Sequence, residues 1–173
     1  LMTGAMLDLP LHKRLVLALD TPDLDSALDL VRRTRGAVGT YKVGLELFTA
    51  VGPAILRALR KEDVDVFLDL KLHDIPNTVT GAVLAAARHE VALLTVHASG
   101  GSAMLKAAQS ALTGQTMIPG SSVTKLLAVT VLTHLTGKEL TALGFEGGPD
   151  DVVGRLARMA KDAGLYGVVC SPE

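Results

Sequence analysis

Six short apolar runs recur along the chain and predict β-strands. They lie at residues 15–19, 40–43, 64–68, 93–96, 126–132 and 167–169. Most are continuously apolar rather than alternating, which is typical of parallel strands covered on both faces. Between them, apolar residues three and four positions apart predict amphipathic helices around 24–31, 55–59, 79–87, 104–108 and 152–160. Residues 113–125 are rich in Gly, Pro and Ser and predict a loop.

Polar residues follow the ends of these strands, and their distribution indicates the fold. Alternating strands and helices predict a parallel sheet, either open or closed into a barrel. In a (β/α)₈ TIM barrel all carboxyl ends of the strands meet at one mouth, whereas an open sheet has its site at one switch point. Here polar side chains stand at almost every strand end: Asp20, Lys42, Asp69, Lys71, His97, Thr133 and Ser171. We therefore predict an α/β protein of the TIM-barrel class.

The length of the chain accommodates only about six βα units. Asp20 and Cys170 are 150 positions apart and enclose five strand-to-strand steps, so one unit takes about 30 residues. Eight units would need roughly 60 residues more, and complete barrels have ~250 residues. No change in composition suggests a linker. We expect residues 1–173 to form a single, partial barrel domain.

Composition and charge exclude several classes of function. The net charge is −1, with no Trp, two Tyr and three Phe, which argues against a nucleic-acid surface. The single cysteine excludes a disulfide framework, and we predict that Cys170 is a small buried apolar residue. No apolar run approaches the ~18–20 residues of a membrane span. The first residues lack the pattern of a signal peptide, so a cytoplasmic location is expected.

The segment FLDLKLHDIPNT at residues 67–78 carries the strongest chemical signal. Asp69 and Lys71 are two positions apart on a strand, so their side chains are expected on one face. Asp74 follows in the loop before Pro76, and Lys42 is expected to join them from the preceding strand. Carboxylates hold a nearby lysine protonated, and such a lysine can act as a general acid. A structural salt bridge at a strand end is the alternative.

Six stretches together resemble the bacterial orotidine 5′-phosphate decarboxylases. They are LVLALD at 15–20, YKVGLELFTAVGP at 41–53, FLDLKLHDIPNT at 67–78, VHASGG at 96–101, AVTVLT at 128–133 and GVVCS at 167–171. The DxKxxD core also resembles hexulose-phosphate synthases and ketogulonate-phosphate decarboxylases, in which Ala-Gly follows the second Asp. Here Ile75 and Pro76 follow Asp74, which favours the orotidylate branch.

The resemblance implies decarboxylation of orotidine 5′-phosphate to uridine 5′-phosphate in de novo pyrimidine biosynthesis, with no metal and no cofactor. Lys71 would protonate carbon 6 of the pyrimidine, and Asp69 would face the substrate carboxylate. Lys42 and Asp74 would complete the catalytic charge network. The implied substrate-binding residues are Asp20, Lys42, Asp69, Ile75, Thr78 and Thr133. The resemblance also implies a homodimer in which Asp74 and Thr78 reach into the partner's site.

Two further interpretations remain open at this point. The family's phosphate-binding residues lie in the seventh and eighth βα units, which we do not find in these residues. The chain could therefore be an inert truncated barrel, or a sugar-phosphate decarboxylase or synthase of the same superfamily. Two histidines are also undecided in role: His97 is either structural or a direct participant, and His73 is predicted to serve packing.

Overall fold

The computed structural model describes residues 10–113 and 123–171. The chain packs as two compact units, Leu1–Asp69 and Leu70–Glu173. Both contain parallel strands and helices, and strand β3, Asp65–Leu72, contributes residues to each. Most of the loop predicted at 113–125 lies outside the described residues.

The first unit consists of strands that pair in parallel and are connected by helices. Its elements after a 3₁₀ turn at Leu11–Arg14 are β1 (Val16–Ala18), α1 (Leu24–Thr34), β2 (Thr40–Val43), α2 (Leu45–Val51), α3 (Ala54–Lys61) and the first part of β3. β2 pairs with both β1 and β3, with Leu17 opposite Tyr41 and Lys42 opposite Phe67. This register brings the carboxyl ends of the three strands to one edge.

Apolar side chains from the helices, from β2 and β3, and from Leu19 just after β1 form the core of the first unit. Leu19, Val31, Tyr41 and Leu59 are completely buried. The Tyr41 hydroxyl lies 2.9 Å from Thr34 Oγ1, so this buried ring keeps a polar partner. Burial of the apolar faces of α1 and α3 against the strands explains why the helical spacing in the sequence was informative.

The backbone of the first unit makes one unusually close approach at Gly39. Its N–H donates to the His12 carbonyl at 2.7 Å, where the 3₁₀ turn crosses the entrance to β2. A Cβ atom at position 39 would lie 2.9 Å from both that oxygen and Lys13 Cα. Both contacts are with backbone, so only glycine fits there without moving the turn.

The second unit continues the alternation. It contains the end of β3, then α4 (Pro76–Ala87), β4 (Leu93–His97), a 3₁₀ turn at Ala98–Gly100, α5 (Gly101–Thr113), β5 (Lys125–Val129), α6 (Gly137–Ala142), α7 (Pro149–Asp162) and β6 (Gly167–Val169). β5 pairs in parallel with β4 and β6, with Val96 opposite Ala128 and Val129 opposite Val169. Pro76 is the first residue of α4, where its missing N–H costs nothing.

The six predicted strands are confirmed in position, and two of them, β3 and β5, differ from the predicted bounds by more than one residue. β5 ends at Val129 rather than at residue 132 because Thr130 already turns to β6: its N–H and its hydroxyl both donate to the Val169 carbonyl, at 3.1 and 2.9 Å. β3 runs four residues further than predicted, to Leu72. Helices α2 and α6 were not predicted. Both are short, with one buried residue each, Leu47 and Leu140.

The prediction that Cys170 is buried is wrong. The cysteine is exposed, because it follows β6, where Val168 and Val169 are themselves 37% exposed. No described residue packs over this end of the strand closely enough to cover the thiol. Separately, no helix within residues 10–113 and 123–171 is long and apolar enough to cross a membrane.

Candidate active site

A lysine between two carboxylates lies at the strand ends of the first unit. Lys42 Nζ is 3.5 Å from Asp20 Oδ1 and 3.8 Å from Asp69 Oδ2. Lys42 belongs to β2 and Asp69 to β3, while Asp20 comes two residues after β1. The expectation that these strand ends would bring their charges together is confirmed for these three residues.

The three charges of this cluster differ in their contact with water. The side chain of Asp69 is 12% exposed, that of Lys42 is 24% exposed, and that of Asp20 is 69% exposed. Coulomb attraction is stronger where water is excluded, so the Lys42–Asp69 side of the cluster is the more strongly held. Asp20 presents its carboxylate to solvent and can accept hydrogen bonds from a ligand's hydroxyl groups.

Gly44 leaves space beside the ammonium group of this cluster. A Cβ atom built at this position would lie 3.2 Å from Lys42 Nζ and 3.8 Å from Asp20 Oδ1. Gly44 is also the residue before α2. A larger side chain would therefore crowd the polar end of Lys42, and glycine keeps that face of the lysine accessible.

Lys71 has a backbone conformation that is rare for a residue with a side chain. Its φ is 52°, in the left-handed region, which typically costs about 1–3 kcal/mol in non-glycine residues. Its N–H donates to Thr95 Oγ1 at 2.9 Å. Regular alternation along a strand assumes extended backbone throughout. The direction of the Lys71 side chain is therefore set by this local turn of the chain, rather than by alternation from Asp69.

Two histidines of the second unit lie against each other near Lys71. The rings of His73 and His97 are 5.3 Å apart between centroids and tilted by 37°. A Cβ atom at Gly100 would collide with Met104 Sδ and would lie 3.3 Å from His73 Cδ2, so glycine there leaves room for both side chains. His97 ends β4, as expected from the sequence, and the contact gives His73 a packing partner.

The segment between β3 and α4 presents its predicted site residues to the outside. Asp74, Ile75 and Thr78 are exposed, and the exposed fraction of Ile75 reaches 66%. Asp74 Oδ1 accepts a hydrogen bond from the Ile75 N–H at 2.6 Å. This contact fixes the carboxylate at the start of α4 and leaves its second oxygen available to a ligand or partner.

Thr133, the last predicted site residue, lines a small cavity beyond the ends of β5 and β6. The cavity has a volume of about 120 Å³, and Asp150 and Ser171 also line it. Most of its other lining residues are apolar, so Thr133, Asp150 and Ser171 provide its polar groups. Within the part of the chain that the structure describes, no group of three or more His, Cys, Asp or Glu side chains is placed to hold a metal ion.

Sequence reasoning missed Thr95, which contacts the backbone of a predicted catalytic residue. Thr95 is completely buried in β4, inside an apolar run that was interpreted only as a strand. A signal was nevertheless present, since threonine is mostly exposed and a buried hydroxyl requires a hydrogen-bond partner.

Sequence comparisons match nearly the whole chain to one family. The sequence model described as "Orotidine 5'-phosphate decarboxylase / HUMPS family" matches residues 13–173. The orotidine 5′-phosphate decarboxylase of Nitrosospira multiformis is 48% identical over 159 residues, and that of Anaeromyxobacter sp. (strain K) is 51% identical over 161. The matches cover 92% and 93% of this chain, but only 64% and 67% of the two relatives.

Solved structures of the same family share the fold. Orotidine 5′-phosphate decarboxylase from Lactobacillus acidophilus superposes with a TM-score of 0.82 at 40% identity, covering 91% of this chain and 71% of that one. The enzyme from Methanocaldococcus jannaschii, complexed with the inhibitor BMP, gives a TM-score of 0.73 at 27% identity, covering 90% and 66%. The predicted fold class, a TIM barrel of which this chain has about six βα units, is confirmed by these likenesses.

The chain spans about two thirds of the length of the curated relatives that it matches. Within that span the likeness is nearly continuous and extends from the 3₁₀ turn to β6. Both the sequence model and the bacterial relatives point to the same assignment, and the chain therefore belongs to the orotidine 5′-phosphate decarboxylase / HUMPS family.

Proposed function

We propose that this chain carries the proton-transfer residues of an orotidine 5′-phosphate decarboxylase, a cytoplasmic carboxy-lyase of pyrimidine biosynthesis that uses no cofactor. The observation that carries the proposal is the Asp20–Lys42–Asp69 cluster, followed two residues along β3 by Lys71 with its strained backbone. The names of the bacterial relatives support the same reaction.

The proposed reaction breaks the bond between carbon 6 of the pyrimidine and its carboxylate. Carbon dioxide leaves, and the electron pair of the broken bond remains on carbon 6. The Lys71 ammonium donates its proton to that carbon and later recovers one from water, so uridine 5′-phosphate is formed without any change of oxidation state in the protein. Positive charge held beside a developing carbanion stabilises the transition state.

Asp69 and Lys42 carry opposite charges and have different roles in the proposed reaction. The residue Asp69, side chain and backbone together, is only 8% exposed. A carboxylate in this setting repels the substrate carboxylate more strongly than one in water would. Loss of carbon dioxide relieves that repulsion. Lys42 balances the charge of Asp69 through their ion pair at 3.8 Å, while Asp74 completes the network.

The remaining predicted residues hold the nucleotide. Asp20 and Lys42 offer an acceptor and a donor to the ribose hydroxyls, which suits the exposure of Asp20 and the room beside Gly44. Thr78 also contacts the ribose. Ile75 and Thr133 contact the substrate, Thr133 near the pyrimidine at the edge of the cavity that it lines.

We further propose that the enzyme is a homodimer with shared sites. Asp74, Ile75 and Thr78 are all exposed, and a two-fold axis beside this segment would bring each set toward the partner. An exposed isoleucine between two predicted site residues supports coverage by a second chain, because burial of such a side chain contributes about 1.5–3 kcal/mol.

The decisive experiment is the Lys71→Ala substitution in the full-length protein, assayed with orotidine 5′-phosphate. We expect turnover to fall by more than ~10³-fold, because acid catalysis and charge stabilisation are lost together. Lys106→Ala, which removes an exposed lysine on α5, is the matched control and should retain full activity.

Three results would contradict the proposal. A Lys71→Ala variant that keeps a tenth of the parent turnover would remove Lys71 from the role of proton donor. A parent protein that acts on a hexulose phosphate or a ketogulonate phosphate, and not on orotidine 5′-phosphate, would instead assign the chain to the sugar-phosphate branch. A parent inactive on all of these substrates would favour the inert barrel.

A further inference from the structure

We propose that Thr95 is a positioning residue for Lys71, and that its hydroxyl holds the lysine backbone in the conformation that aims the ammonium group. The inference rests on the proposed function, because it names the group that orients the proton donor. It adds a residue of β4 to a catalytic set that the sequence motifs place on β2, on β3 and in the segment directly after β3.

The contact itself is between a buried hydroxyl and a strained peptide. The Lys71 N–H donates to Thr95 Oγ1 at 2.9 Å. Thr95 is fully buried, as are its neighbours Leu94 and Val96. A hydroxyl among apolar strand residues is unfavourable unless it is hydrogen-bonded. The position of the hydroxyl beside Lys71, rather than anywhere else along β4, points to a role at the lysine.

The strain at Lys71 explains why such a restraint is needed. With φ at 52°, the residue occupies a region that non-glycine side chains disfavour, and extended backbone competes with it. The direction in which a side chain leaves the backbone is set by the orientation of the preceding peptide plane together with φ. The hydrogen bond from the Lys71 N–H to Thr95 fixes that plane, and the positive φ then gives the direction of the Cα–Cβ bond. Thr95 thereby selects one orientation of Lys71.

Small errors of orientation have large effects on a proton transfer. A displacement of about 1 Å at a reacting group costs on the order of 10²-fold in rate. In the proposed function, substrate binding depends on other groups, such as Asp20, Lys42 and Thr78. Loss of the Thr95 hydroxyl is therefore expected to lower kcat and to leave KM nearly unchanged.

The test compares Thr95→Val with Thr95→Ser in the full-length protein. Valine keeps the shape of threonine but removes the acceptor, whereas serine keeps the acceptor. We expect the valine variant to lose about 10–100-fold in kcat with KM within ~2-fold of the parent. The serine variant should recover to within about 3-fold of the parent kcat, since its hydroxyl can accept the same hydrogen bond.

Thr124→Val is the matched control. Thr124 is also buried, and its hydroxyl donates to the Val91 carbonyl at 2.7 Å, so the substitution removes the same kind of group from the strand entrance of β5. It should lower stability, as the Thr95→Val substitution does, but leave kcat unchanged. Equal losses of kcat in the two valine variants would show a general effect of destabilisation and would overturn the proposal.

A second measurement tests the hydrogen bond between Lys71 and Thr95 without an activity assay. Hydrogen exchange of the Lys71 amide should accelerate by at least ~10-fold in Thr95→Val and stay near the parent rate in Thr95→Ser, because exchange reports opening of that hydrogen bond. Unchanged exchange and unchanged kcat in the valine variant would refute the positioning role.

The proposed function and the positioning role of Thr95 are refuted by different results. A parent without decarboxylase activity refutes the proposed function, and the exchange rates still decide whether Thr95 restrains Lys71. An active parent with an equally active valine variant refutes the positioning role alone. If the valine variant does not fold, Thr95→Ala against Thr95→Ser, again with and without the hydroxyl, provides the same comparison.

Discussion

Lys71 combines the proposed chemistry with an unfavourable backbone, so stability and activity compete at this residue. Its φ of 52° suits glycine better than any residue with a Cβ atom. Threonine at position 95 helps to hold this conformation, but it does not remove the steric conflict of the lysine with its own backbone. Replacement of the side chain should therefore affect folding and turnover in opposite directions.

We predict that Lys71→Gly is more stable than Lys71→Ala by about 1 kcal/mol, although both variants are inactive. Alanine keeps the Cβ atom and the strain, whereas glycine adopts a positive φ freely. Chemical denaturation of the two purified variants measures the difference. The same pair of substitutions at Asp63, whose φ is 56°, is the control and should show a similar difference. An alanine variant at least as stable as the glycine variant would contradict the strain.

For single residues, the sequence predicted which residues form the site better than it predicted the directions of their side chains. Asp20, Lys42 and Asp69 were identified because parallel strand ends meet at one edge, and the structure brings them together. The shared face of Asp69 and Lys71 was inferred from extended geometry, which the positive φ of Lys71 interrupts. That φ is determined by tertiary contacts such as the one with Thr95, and a pattern of residue types does not report it.

Among the secondary-structure elements, α1 shows how a single side chain stabilises a helix start. Asp23 precedes the helix, and its Oδ1 accepts from the Ser26 N–H at 2.8 Å while its Oδ2 accepts from the Ser26 hydroxyl at 3.1 Å. The backbone hydrogen bond, and then the hydroxyl bond, lower the pKa of Asp23 from its ordinary value of 3.8. Both bonds favour the ionised form.

This cap predicts a defined dependence of stability on pH. Because the pKa is lowered on folding, the ionised cap stabilises the folded state above pH 3.8, and this contribution is lost as the pH falls through the lower folded pKa. The thermal midpoint of the parent should therefore fall toward that of Asp23→Asn as the solution is acidified over this range. Asparagine keeps an acceptor without a charge.

Titration of the Asp23 carboxyl by NMR provides the direct check. Its pKa should lie below 3.8 in the parent and should move back toward that value in Ser26→Ala, which loses the hydroxyl bond but keeps the backbone one. A Ser26→Ala variant with the parent's titration curve would show that the hydroxyl does not contribute.

Elements with long apolar faces were predicted well, and short ones were not. α3 was found because Ile55, Leu56 and Leu59 are buried on one face. α6 spans six residues with one buried side chain and depends on its capping box, in which Thr136 and Glu139 bond to each other's backbone. A helix held by its first turn leaves almost no periodic pattern to detect.

For the whole molecule, the proposed sharing of active sites between two chains can be tested by mixing variants. We predict that inactive Lys71→Ala chains and inactive Asp74→Ala chains recover activity when they exchange subunits in the full-length protein. If Asp74 serves the partner's site, one of the two sites in each mixed dimer has both residues intact. With equal amounts of the two chains, half of the dimers are mixed and a quarter of the parent activity should return.

The mixing experiment needs proof that mixed dimers form. Differently tagged chains purified in succession supply it, and a mixture of Lys71→Ala chains with Lys106→Ala chains shows the activity expected from intact sites on one chain alone. Confirmed mixed dimers without recovered activity would place Asp74 and Lys71 in the same site of the same chain.

The close approach at Gly39 has a consequence for how this sequence can vary. Any side chain there would meet the backbone of His12 and Lys13, so random mutagenesis should return glycine at this position in every folded clone. Gly81, in the interior of α4, has nothing within 4 Å of a built Cβ atom, and alanine there would favour the helix by about 1 kcal/mol. Two glycines of the same chain thus have opposite mutational tolerance, which neither composition nor local sequence reveals.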